Sequence, residues 1–267
     1  MELHLKGKAI VVNGGTKGLG RAVTEELCRE GARVVFSGRN AGDGKSVLDE
    51  VRTTGSEAIF VKADIRNVSD CQDLIGSAEK RFGRIDGLVN YAGITTRATI
   101  TEIDEGTFED IFDTNFKSAF FCCKYAVRAM IKSGGGSIVN IGSTLGYGGT
   151  REMSAYSCSK GALLTLTKHI ANNFAAENIR ANWITMGWVA TPNEVKQFEK
   201  IGKNREYLEK MAEKVMPMGR LQTNEDNVPG ILYLLSDASS QVTGAELHIS
   251  GGFFPGPGRP ITPDFYK

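Results

Sequence analysis

Tyr156 and Lys160 stand one helical turn apart in the run Tyr156-Ser157-Cys158-Ser159-Lys160, which opens a segment of amphipathic spacing reaching about Ala176. Positions i and i+4 share a helix face, so the phenol and the ammonium point the same way. That pairing can move a proton. A free tyrosine titrates near pH 10, and bringing it close to neutrality takes roughly 4 kcal/mol of preferential stabilisation of the phenolate. A nearby cation has the right charge to supply it. Ser143 follows an apolar run that reads as a strand, and its hydroxyl could hold a substrate oxygen while Tyr156 donates or removes the proton. Asn115, read as the start of the long helix leading into that strand, could support a water next to Lys160. A Tyr-x-x-x-Lys pair in isolation is frequent by chance, and most such pairs are surface pairs on a helix.

A second group of residues points to a nucleotide. Ala9-Ile10-Val11-Val12 ends in Asn13-Gly14-Gly15-Thr16-Lys17-Gly18-Leu19-Gly20, and a helix-like segment follows from Gly18 to Glu30. Glycine suits a chain that turns sharply and lets its backbone approach a diphosphate, with the helix N–H groups facing the anion. The spacing Gly-x-x-x-Gly-x-Gly is neither the G-x-G-x-x-G fingerprint nor a P-loop. About twenty residues on, an NAD enzyme would carry an acidic residue at the end of the second strand. Here the residues are Ser37-Gly38-Arg39-Asn40. Arginine suits a 2′-phosphate, which accepts bidentate hydrogen bonds, and Lys17 could add a second cation. NADP(H) is therefore expected over NAD(H).

These residues need a scaffold, and the rest of the chain describes one. Apolar runs at Val34-Phe36, Ala58-Val61, Gly87-Asn90, Ser137-Ile141, Arg180-Ile184 and Glu246-Ile249 alternate with longer amphipathic segments, one of them Val228 to Leu235. Runs apolar on both faces and separated by helices indicate a parallel sheet covered on both sides. The expected fold is α/β: one doubly wound, Rossmann-like parallel sheet of about seven strands with helices on both faces. A single domain over 1–267 is expected. It would carry a charged helical insertion, a lid over about 188–220, and an irregular proline-rich tail over about 251–267.

The 267 residues have a formal net charge of +1, which gives no electrostatic reason to expect nucleic acid or an anionic membrane. No apolar run approaches the roughly 20 residues that span a bilayer, and the first residues lack a signal pattern. A cytoplasmic protein is the expectation. The five cysteines show no CxxC spacing, so neither a disulfide framework nor a metal site is expected, and the three histidines are scattered.

Taken in order, these motifs resemble those of the short-chain dehydrogenase/reductase family, specifically its single-domain branch, up to about Gly252. The glycine loop matches with Asn13 in the place of threonine, and Asn90-Tyr91-Ala92-Gly93 matches with one substitution, at Tyr91. Asn115, Ser143, Tyr156 and Lys160 match the family's catalytic tetrad. The resemblance implies that Tyr156 is the general acid/base and that Ser143 orients the carbonyl. Lys160 would bind the nicotinamide ribose and lower the tyrosine pKa, and Asn115 would complete a proton relay. It also implies that Asp64, in Ala63-Asp64-Ile65, bonds the adenine amino group. Gly187-Trp188-Val189-Ala190-Thr191 would cradle the nicotinamide amide, with Thr191 bonding it. Met186 stands where proline is usual, which could loosen that loop, and Tyr91 could alter the packing of the fourth strand. A homotetramer, or a homodimer, is implied as well.

The lid's apolar side (Val195, Phe198, Ile201, Tyr207, Leu208, Met211, Val215) would close over the site. The tail aromatics Phe253, Phe254, Phe265 and Tyr266 would pack on a neighbouring subunit or border the pocket. The segment from Gly146 to Met153, with Trp188, suggests a hydroxylated small-molecule substrate: a sugar, polyol or hydroxy acid. A 3-oxoacyl thioester or a steroid ketone is the alternative. The rival readings are a nucleotide sensor without turnover and an epimerase or dehydratase that uses bound NAD transiently.

Overall fold

Each apolar run named above is a strand in the computed structural model, which describes residues 2–253 apart from 190, 200 and 201. The first half runs β1 (Ala9–Asn13), α1 (Gly18–Arg29), β2 (Arg33–Gly38), α2 (Ala41–Val51), β3 (Ala58–Lys62), α3 (Val68–Phe82), β4 (Gly87–Asn90). The second runs α4 (Glu105–Phe112), α5 (Ser118–Ser133), β5 (Gly136–Ile141), α6 (Ser154–Asn173), β6 (Ile179–Met186), α7 (Pro192–Glu199), α8 (Arg205–Val215), α9 (Asn224–Leu235), β7 (Glu246–Ile249). The strands form one seven-stranded parallel sheet in the order β3-β2-β1-β4-β5-β6-β7.

Side-chain alternation explains why both faces are covered. Ala9 and Val11 of β1 join one core with α3, α5 and α6, through Leu74, Ile75, Ala126, Met130 and Ile170. Ile10 and Val12 join the other with α1, α2 and α9, through Val23, Leu27, Val47, Ile231 and Leu235. A strand buried on both sides must be apolar throughout, which is the pattern its sequence shows. Strand order reverses between β1 and β4, and that switch point opens a crevice beyond the carboxyl ends of the strands.

Two boundaries differ from expectation. Helix α9 starts at Asn224 rather than Val228, because Thr223 and Asp226 form a reciprocal capping box (Thr223 N donates to Asp226 Oδ2 at 2.9 Å) and the helix accommodates Pro229. Asn115 does not begin the long helix. It lies in a π-helical turn, Asp113–Lys117, wedged between α4 and α5. The insertion folds as α7 and α8, held by Phe198, Leu208, Ala212 and Met216 with Trp188 and Phe253 against them. Ile201, Phe254, Phe265 and Tyr266 lie outside the described residues. Among the described residues, no helix is long and apolar enough to cross a membrane.

Candidate active site

The crevice is a cleft of about 900 Å³ lined from Gly14 at one end to Trp188 and Phe253 at the other. Its floor depends on two glycines. Gly14 has φ +91°, and a Cβ there would meet Ala92; a Cβ at Gly20 would overlap the Gly14 carbonyl oxygen. Helix α1 therefore approaches the loop backbone as closely as an anion cradle requires. Asn13 holds the turn through its amide. Its Nδ2 donates to Asn90 Oδ1 at 3.4 Å, while Ser37 Oγ donates to Asn13 Oδ1 (3.4 Å) and accepts from Gly14 N (3.1 Å). Tyr91 packs its ring and hydroxyl against Gly20 and Gly18, over the first turn of α1, where burial pushes its phenol up.

Most of the residues foreseen for the nucleotide face this cleft, including Thr16, Lys17, Gly18, Arg39, Asn40, Asp64, Ile65, Ala92, Gly93, Gly187, Val189 and Thr191. Leu19, Gly20, Asn90 and Asn115 do not line it; they hold residues that do. Asn90 Nδ2 donates to Asn140 Oδ1 at 2.9 Å, and Asn140 Nδ2 to Thr167 Oγ1 at 2.9 Å, tying β4 through β5 to α6.

The rim near the end of β2 is less open than the sequence suggests. Lys17 Nζ lies 2.8 Å from Asp43 Oδ2, so its charge is already balanced. Asn40 Oδ1 accepts from Asp43 N at 3.1 Å and caps α2. Asp64 is forked by Arg66, which donates through Nε (3.0 Å) and its terminal nitrogen (2.6 Å) and also reaches Asp110 at 2.9 Å. The Arg66 guanidinium holds the Asp64 carboxyl below the usual carboxylate range. Arg39 is exposed and has no hydrogen bond or ion pair among the described residues.

At the other end, Tyr156 and Lys160 share the inward face of α6 in the cleft wall. Burial pushes the Tyr156 phenol up to about 12; a hydrogen bond with Ser143 opposes that push, and the Glu194 charge adds to it. Ser143 Oγ also accepts from Leu145 N at 3.1 Å, which fixes its rotamer at the end of β5. Asn115 spends its amide elsewhere. Its Oδ1 accepts from Ile94 N (2.7 Å), and its Nδ2 donates to Ile94 O (3.0 Å) and Ser159 Oγ (3.2 Å).

Lys160 is 5% exposed, donates to Ile141 O at 2.8 Å, and sits 5.9 Å from the Tyr156 ring centroid. Burial pushes its ammonium down to about 8 from 10.5. Between those two pH values the unfolded chain keeps a proton that the folded chain has released, so this group makes stability rise with pH across that window. Below it, the full penalty of a buried charge is present. Lys160→Met is therefore expected to melt no lower than the wild type at pH 7, with any gain shrinking towards pH 10. A calorimetric pH series in which the wild type melts higher at pH 7 would contradict this.

Three residues that sequence reasoning passed over shape the lid. Gln222 accepts from Gly187 N through Oε1 (2.7 Å) and donates Nε2 to Ile249 O (2.6 Å), while its own N donates to Trp188 O (2.9 Å). Met186 in the proline position therefore leaves a loop that is firmly clamped. Glu194 of α7 accepts from Trp188 Nε1 at 3.2 Å and from Arg97 at 3.3 Å, and both charged groups line the cleft. Nothing local in the sequence pairs positions 97 and 194.

Comparison with known proteins agrees with this geometry. Residues 14–254 match the family described as Enoyl-(Acyl carrier protein) reductase. The chain is 32% identical to 2-(S)-hydroxypropyl-CoM dehydrogenase 3 of Xanthobacter autotrophicus, over 94% of this chain and 98% of that one. It is 32% identical to 2-dehydro-3-deoxy-D-gluconate 5-dehydrogenase of Dickeya dadantii, over 94% and 96%. Among solved structures, a 7α-hydroxysteroid dehydrogenase complexed with NADH and 7-oxo glycochenodeoxycholic acid superposes with a TM-score of 0.87 at 29% identity, covering 95% of this chain and 96% of that one. With the doubly wound sheet, the glycine cradle and the tyrosine–lysine turn on one cleft, this chain belongs to the short-chain dehydrogenase/reductase family of oxidoreductases.

Proposed function

We propose that the protein is an NADP(H)-dependent oxidoreductase of the cytoplasm that interconverts a secondary alcohol and a carbonyl, with Tyr156 as general acid/base. The observation that carries this reading is the meeting of Tyr156, Ser143 and Lys160 at one end of a cleft whose other end is a glycine-cradled helix N-terminus. A dinucleotide fits those residues, since the absence of side chains at Gly14 and Gly20 lets the loop pack tightly on Ala92 and on the first turn of α1 and so turns the N-terminus of that helix towards the cleft. When bound, the nicotinamide supplies or receives the hydride. The chain handles the proton and the geometry. Ser143 Oγ fixes the substrate oxygen; the Tyr156 hydroxyl gives that oxygen a proton in reduction, and the Tyr156 phenolate takes one from it in oxidation. Lys160 binds the ribose and stabilises the phenolate. Asn115, with its amide committed to Ile94, acts in the relay through the backbone of its π-helical turn.

Arg39 favours NADP(H). It is the cation at the β2 rim with no ion pair among the described residues, whereas Lys17 is shared with Asp43. The solved relative that carries NADH keeps NAD(H) as the second reading. A hydroxylated substrate (a sugar, polyol or hydroxy acid) suits the polar groups beside Trp188, and two curated relatives act on small oxygenated compounds by their names. Oxoacyl thioesters and steroid ketones remain the alternative. Phe108 and Phe120, each 43% exposed on α4 and α5, favour assembly of identical chains as a tetramer or dimer. A screen of NADP reduction and NADPH consumption over sugars, polyols, hydroxy acids, oxoacyl thioesters and steroids tests the function. Substrate-dependent turnover supports it; none in any class would sink it.

A further inference from the structure

The substrate end of the cleft holds a half-buried ion pair that the tetrad does not need. Among the described residues lining that end, Arg97 and Glu194 are the charged ones apart from Lys160, which faces the Ile141 carbonyl. Their side chains are only 24% and 14% exposed. A charge held this far from water is costly unless it is paired and hydrogen-bonded.

The geometry shows which capacity is spent. Glu194 Oε1 accepts both from Trp188 Nε1 (3.2 Å) and from Arg97 (3.3 Å). Its Oε2 has no partner among the described residues, and the residue lines the cleft. Arg97 is differently placed. Besides Glu194 it lies 3.8 Å from Glu152 Oε2, and its guanidinium stacks over the Phe198 ring at 5.5 Å. One guanidinium thus sits between two carboxylates, so the cluster carries net negative charge. That net charge disfavours an anionic substrate group, whereas a hydroxyl can donate to the spare carboxylate oxygen. Glu194 is also near enough to the reacting phenol for its charge to raise it. The Trp188 indole and Met153 border the same space and suit the C–H face of a short carbon chain.

We infer that Glu194 is the specificity-determining residue of the cleft and selects neutral polyols. The hydroxyl next to the reacting carbinol donates to Glu194 Oε2, while the reacting oxygen lies at Tyr156 and Ser143. This rests on the alcohol–carbonyl reading above and narrows its substrate class, setting hydroxy acids aside. A site built to bond a hydroxyl rejects analogues lacking it, because the half-buried acceptor is then left unpaired.

The test is a comparison of kcat/KM for three probes: the vicinal diol of butane, secondary butanol and lactate. The wild type is expected to prefer the diol by about 100-fold or more over secondary butanol and to turn lactate over least. Glu194→Gln keeps the shape but loses the charge and should cut the diol preference about ten-fold. Glu194→Leu should abolish it. NADPH binding by fluorescence reports that each variant is folded; if the leucine variant fails to bind, the glutamine variant decides. Equal use of diol and butanol by the wild type, a preference for lactate, or an unchanged ratio in the folded variants overturns the inference. Turnover of none of the three overturns the alcohol–carbonyl reading itself, and this inference with it.

Discussion

Tyr156→Phe is expected to lower kcat about a thousand-fold while leaving NADPH affinity within about three-fold, because it deletes the proton-transferring hydroxyl and little else. The ring stays in its place on α6, and Lys160 keeps its bond to Ile141 O. The direction of the reaction sets the pH dependence. With the phenol pushed up to about 12, the site is poised as an acid, and reduction should hold its rate up to about pH 8, where Lys160 loses its charge, and fall above it. Oxidation needs the phenolate, so its rate should climb as pH rises. Steady-state kinetics in both directions, with a binding titration of the variant, checks this. A variant that retains turnover would mean that Tyr156 moves no proton.

The second large effect concerns the cofactor. Arg39→Asp should weaken NADPH binding at least about 100-fold, since it replaces a charge-assisted donor with a repelling carboxylate. NADH carries no 2′-phosphate, and its adenosine ribose hydroxyls can donate to the new carboxylate, so its affinity should hold or improve. Lys17→Ala should do less, because Asp43 already balances Lys17. Titration with both nucleotides gives the answer, and equal losses for the two would remove the case for NADP(H).

The sequence disclosed most of the fold because a parallel strand buried on both faces has to be apolar at successive positions, as in Gly87–Asn90 and Glu246–Ile249, whose bounds match the runs read from sequence. Gly14 was legible from the close backbone approach that its loop requires, whereas Ser143, Tyr156 and Lys160 stood out through their match to the family's motifs, since an i, i+4 pair alone is frequent by chance. What stayed hidden depends on contacts between distant segments. The Arg97–Glu194 pair joins the loop after β4 to a lid helix, and Gln222 clamps the loop after β6 from the entrance to α9. Asp64 keeps its expected place at the cleft, yet its carboxylate is already forked by Arg66, a neighbour whose direction no spacing rule predicts. Asn115 was misplaced because a π-helical turn leaves the 3.6-residue rhythm on which helix reading relies.

The most direct test of the central claim is to follow the hydride. Reduction of the ketone accepted in the substrate screen would be run with NADPH deuterated at the reactive position of the nicotinamide, and the product alcohol analysed by mass spectrometry and NMR. One deuterium at the carbinol carbon per NADPH consumed, formed about a thousand-fold more slowly by Tyr156→Phe, is the predicted result. Product free of deuterium, or labelled equally fast by the phenylalanine variant, would contradict it.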